Sequence, residues 1–142
     1  MKKLNLTKVN VLVVERHLFI RQLMRDVLRA LGVQGRIKSP SYAVVEPHEA
    51  PGMAIHHFDF YRFNDPQEWE DAGFRDLFGA PGLKVVEWPE KAAGLLPVAD
   101  LQMHIGVMGE VGCEDADVPP ARSVRLLAGT PLGRDLKESL HG

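Results

Sequence analysis

The sequence is poor in features that would take it out of the ordinary run of soluble proteins. Cys113 is its one cysteine, so an internal disulfide is impossible and no second thiol stands at zinc-ligand spacing. No apolar run approaches the roughly 20 residues that a membrane-spanning helix needs. The opening Met-Lys-Lys-Leu-Asn-Leu-Thr lacks the apolar core and small-residue cleavage site of a secretion signal. Repeats and low-complexity tracts are absent as well. A reducing, cytoplasmic setting is the expectation.

What is present is one domain's worth of chain, residues 1–142, with 45% hydrophobic and 25% charged residues, enough to bury a real core. The small net charge of −2 hides an asymmetry. Residues 1–38 carry nine Lys/Arg against two acids, whereas the remainder carries eight against seventeen. A basic end can meet RNA or phosphate. Here the basic residues are not interleaved with aromatics, which favours a solvated helix face attracted to the acidic remainder.

Val9–Val14 is nearly all β-branched or Leu, the pattern of a strand covered on both faces. Ile20, Leu23, Met24, Val27, Leu28 and Leu31 then fall on one stripe at helical spacing, and Gly32 suits a left-handed C-terminal cap. Further strands are expected over 42–46, ended by Pro47, and through Asp59, with a turn at 49–52 between them. Asp65-Pro66-Gln67-Glu68 is a helix start, with an N-cap acid and proline at the first helical position. That helix is expected to run to about Phe78. Strands follow over 83–87, 101–107 and 123–128, the last two as an antiparallel pair, with a long acidic loop over 109–122 and a short helix over 132–140. The order implies a three-layer αβα domain with a mostly parallel sheet and an antiparallel edge.

Chemistry concentrates at two strand ends. Ile55–Arg62 reads Ile-His-His-Phe-Asp-Phe-Tyr-Arg and delivers Asp59; Leu83–Glu87 delivers a second acid, followed by Trp88 and Pro89. Two buried strands that each end in an acid suit a metal–phosphate site at a sheet edge. His56 and His57 are neighbours on a strand, face opposite sides and cannot share one ion, so they read as core or surface histidines. An Asp at a strand end also serves as a cap or a partner for an arginine such as Arg62, and Trp88 can equally be a rim aromatic covering the core.

Several uncommon motifs occur in a fixed order: Gly35-Arg-Ile-Lys-Ser-Pro-Ser-Tyr, Val45-Glu-Pro, His57-Phe-Asp-Phe-Tyr-Arg, Asp65-Pro-Gln-Glu, Gly73-Phe-Arg-Asp and Val86-Glu-Trp-Pro-Glu-Lys. Together they make the chain, from about residue 32 on, resemble the TsaE family of tRNA threonylcarbamoyladenosine biosynthesis. The resemblance implies a P-loop NTPase-like body over 32–140, ATP or ADP with Mg2+, and TsaD and TsaB as partners. It implies that Ser39 and Ser41 lie in a switch-like segment near the γ-phosphate, that Asp59 organises the metal or the attacking water, and that Glu87 is the second acid with Trp88 beside it.

A TsaE-like chain should carry Gly-x-x-x-x-Gly-Lys-Thr between first strand and first helix, where backbone N–H groups wrap the phosphates. Here the junction reads Val14-Glu-Arg-His-Leu-Phe-Ile-Arg-Gln22, with no glycine, lysine, serine or threonine. Arg21 could supply a charge but not the loop shape. Residues 9–31 look instead like the first strand–helix unit of a flavodoxin-like receiver domain, without the second acid such a domain uses to hold Mg2+. The expectation is a chimera of a receiver-like βα unit and a TsaE-like body that has lost ATP hydrolysis. The alternatives are a working ATPase with a rebuilt loop and a receiver-like phosphorylation module.

Overall fold

The computed structural model describes residues 10–14, 20–38, 40, 43–107 and 122–141. Six strands form one mixed sheet in the order β2-β3-β4-β1-β5-β6: β1 (Asn10–Val14), β2 (Val45–Ala50), β3 (Met53–Asp59), β4 (Leu83–Glu87), β5 (Leu101–Val107) and β6 (Arg122–Ala128). The four central strands β3, β4, β1 and β5 run parallel, and β2 and β6 close the two edges antiparallel. The expected single antiparallel edge is therefore two. The second comes from a tight hairpin at Pro51-Gly52, where Gly52 takes φ 73.

Helix α1 (Ile20–Ala30) and helix α4 (Pro131–His141) cover one face of the sheet, and α2 (Pro66–Asp71) and α3 (Phe74–Gly79) cover the other. Met24, Leu28 and Leu136 pack on Ile55, Leu83 and Val85, an aliphatic core. The opposite face holds Phe58, Phe60, Phe63, Trp69, Phe74 and Phe78, with Phe58 stacked on Phe78 at 4.5 Å and edge-on to Phe74 at 5.7 Å. Such ring pairs add to the area each aromatic buries. Among the described residues no helix is long and apolar enough to cross a membrane.

Two local expectations are corrected. Pro47 does not end β2 but sits inside it opposite His56. As an edge strand β2 needs hydrogen bonds on one side only, and there a proline is tolerated. The helix expected over 65–78 is two: Asp65 accepts from the Gln67 N–H and starts α2, but Gly73 adopts φ 67, ψ 30 and turns the chain before α3. A left-handed residue cannot continue a right-handed helix. At the C-terminal helix, Thr130 accepts from the Gly133 N–H and donates its hydroxyl to Asp100, which ties α4 to the start of β5.

Candidate functional site

The parallel register of β3 and β4 makes Asp59 and Glu87 direct neighbours at the carboxyl ends of their strands, and Val13 of β1 lies on the other side of Glu87. The topology marks this edge. The chain leaves β1 over the aliphatic face, past β4 and β3, to reach β2, and a hairpin returns it to β3; it leaves β4 over the aromatic face, past β1, to reach β5. Adjacent strands whose connections depart in opposite directions open a crevice at their carboxyl ends, the usual ligand position in open α/β sheets.

Glu87 is 3% exposed, whereas Asp59 is half-buried. The two acids are held differently. Asp59 Oδ1 accepts from the Tyr61 N–H at 3.0 Å, which folds the chain back just beyond the strand. Glu87 Oε2 accepts from His57 Nε2 at 2.8 Å, inside the protein. Glu87 Oε1 and His57 Nδ1 are buried with no hydrogen-bond partner among the described residues. The backbone also joins the strand ends, since the Phe60 N–H donates to the Glu87 carbonyl at 3.1 Å.

Trp88 follows directly and adopts φ 56, ψ 48, a left-handed conformation that is costly for a bulky side chain and collects at functional sites. Its ring lies 5.0 Å from that of exposed Tyr61, so an aromatic pair sits just beyond the two strand-end acids. Trp88 also packs against the aromatic core, so rim and core contacts coexist.

Of the sequence-predicted residues, the structure brings Asp59, Glu87 and Trp88 together. Ser39, Ser41 and the junction from Glu15 to Phe19 lie outside the described residues, as does the loop expected over 109–122 except Arg122, which begins β6. Arg21 belongs to helix α1, and its side chain is likewise outside them. His56 and His57 do face opposite sides: His57 reaches Glu87, while His56 lies opposite Lys84. Sequence reasoning did not single out His57 as a site residue. The available signal was its period-two relation to Asp59, which places both on one face of β3.

Among the described residues no three His, Cys, Asp or Glu side chains converge as a metal cage. Two carboxylates still suit Mg2+, which keeps several waters and takes only one or two protein carboxylates. The orphaned, buried Glu87 Oε1 is an oxygen that such an ion or its water would satisfy.

This is an α/β protein with an acid pair at the switch point of a mixed sheet. The model of "Threonylcarbamoyl adenosine biosynthesis protein TsaE" matches residues 21–111, and the chain belongs to that family. The match takes in nearly all of α1, part of the stretch that resembled a receiver unit. The tRNA threonylcarbamoyladenosine biosynthesis protein TsaE of Haemophilus influenzae is 39% identical over 114 residues, covering 80% of this chain and 66% of that protein. The Bacillus subtilis protein of that name is 30% identical over 80 residues, covering 56% and 49%. The chain thus spans roughly half to two thirds of the relatives' length. The crystal structure of Bacillus subtilis YdiB shares the fold, with TM-score 0.64 at 19% identity over 94% of this chain and 76% of that one.

Proposed function

We propose that the chain serves tRNA threonylcarbamoyladenosine biosynthesis as a TsaE-type subunit that no longer hydrolyses ATP. Its acid pair, Asp59 and Glu87, retains a Mg2+ site. TsaD and TsaB are the partners that family membership suggests. The observation that carries the reading is a contrast within one crevice. Family membership and the strand-end acids support the metal half of a nucleotide site. The residues that would hold the phosphates do not fit that task. Between Val14 and Gln22 the sequence offers Glu15 and bulky apolar side chains where a phosphate must touch bare backbone. The chain therefore lacks the phosphate grip on which hydrolysis would depend.

Calorimetry of Mg2+-dependent ATP and ADP binding, with Asp59→Ala alongside, tests the reading. The expected result is no nucleotide binding at micromolar concentrations and no ATP turnover above background. Micromolar binding that Asp59→Ala removes would overturn it. The stretch from Glu15 to Arg21 would then be a rebuilt phosphate loop, with Arg21 in place of the lysine.

A further inference from the structure

We propose that His57 is a positioning residue that fixes the Glu87 carboxylate for a divalent cation; the proposal rests on the acid-pair reading above. A glutamate at a strand end has three rotatable torsions and can aim its carboxylate several ways. In this chain the choice is removed. His57 lies two residues before Asp59 on β3, and its side chain reaches across to β4 to bond Glu87 Oε2 at 2.8 Å. Both side chains are almost wholly buried, at 2% and 4% exposure.

A carboxylate oxygen only accepts, so Nε2 of the ring is the donor. That bond engages one oxygen and leaves the other, Oε1, buried and without a partner among the described residues. If the pair were there for stability alone, a half-satisfied buried carboxylate would be a poor solution, because an unmet buried acceptor carries its full desolvation penalty. As a support for metal binding it is economical. One oxygen is held by the protein, and the other, on the residue paired with Asp59 at the carboxyl ends of β3 and β4, is left for a ligand. Histidine–carboxylate contacts just behind a metal commonly set ligand orientation in this way.

Mn2+ binding to the full chain, followed by the electron paramagnetic resonance of the free ion, provides the test. His57→Leu removes the donor, and an affinity loss of roughly 10- to 100-fold is expected. His57→Gln and His57→Asn guard against a simple folding defect. The Gln amide nitrogen reaches about as far as Nε2, whereas the Asn amide stops near the position of Nδ1. Gln is expected to restore most of the Mn2+ affinity and Asn is not, with the two variants melting at similar temperatures. Equal Mn2+ affinity in Gln and Asn variants, or unchanged affinity in His57→Leu, overturns the positioning role while leaving the acid pair intact if Glu87→Gln still weakens binding. Wild-type protein that binds no Mn2+, or binds it equally well after Glu87→Gln, overturns both.

Discussion

Strand β4 carries two buried charged residues, Lys84 near its start and Glu87 at its end, and their situations differ. They are 1% and 3% exposed and point to opposite faces of the sheet. Lys84 donates through Nζ to the Ala80 carbonyl, a group of the turn that leads into its own strand. Glu87 is held from another strand and keeps an oxygen in reserve. Burial of charge is costly in both places, so burial alone does not mark a site. The distinction lies in which end of the strand the residue occupies and what its partner leaves unsatisfied. At the amino end the charge closes a local bond; at the carboxyl end it is held by a neighbouring strand through one oxygen only.

The largest effect is expected in the aromatic core that β4 packs against, between the levels of its two ends. Phe58, paired with Val86 of β4, is fully buried and packs its ring against Phe60, Phe74 and Phe78. Phe58→Ala should cost about 3–5 kcal/mol in urea unfolding. A loss well under that would mean that the aromatic cluster is not the main support of the strand, and the comparison of its ends would have to be redrawn.

Much of this arrangement was legible in the residues. β4 and β5 fall on their expected bounds because short apolar or alternating runs between turns have few other readings. Asp59 and Glu87 were recognisable as strand-end acids. Their adjacency was not, since it depends on a register between strands some 25 residues apart. The same holds for the His57–Glu87 bond. Pro47 misled because whether a strand lies at an edge is decided by its partners, not by its own sequence. Gly73 misled because a glycine inside a helical pattern does not declare the sign of φ.

Titration separates the strand's two ends next. Burial lowers the Lys84 pKa below 10.5. Between that lowered value and 10.5 the unfolded chain binds more protons than the folded one, so stability should rise with pH there. Lys84→Met should abolish that rise and add about 1 kcal/mol at neutral pH, since replacing a buried charge by an apolar side chain of similar volume is neutral or stabilising. A loss of stability would mean that the bond to Ala80 outweighs desolvation. Two histidines impose the same slope at lower pH. His48 is lowered by burial and by nearby His57, against an opposing pull from Glu46; His56 is lowered by burial and by Lys84. Both favour the neutral ring in the fold, so stability should fall as pH drops below 6.5. Chemical denaturation across pH would show it, and a slope unchanged in a His48→Gln, His56→Gln double variant would refute the assignment.

The smallest change in stability, and the sharpest for function, is expected at Glu87. Glu87→Gln keeps the shape and still offers the carbonyl oxygen to His57, but it removes a buried charge whose second oxygen lacks a partner among the described residues. The melting free energy should stay within about 1 kcal/mol of the parent or rise slightly, while Mn2+ affinity drops. Residues retained for function at a cost to the fold show this opposition, because relieving the cost removes the activity. Lys84→Met, at the other end of the strand, should raise stability and leave Mn2+ binding alone. If Glu87→Gln instead destabilised the protein by several kcal/mol, Glu87 would be a structural partner of His57, and the carboxyl end of β4 would resemble its amino end after all.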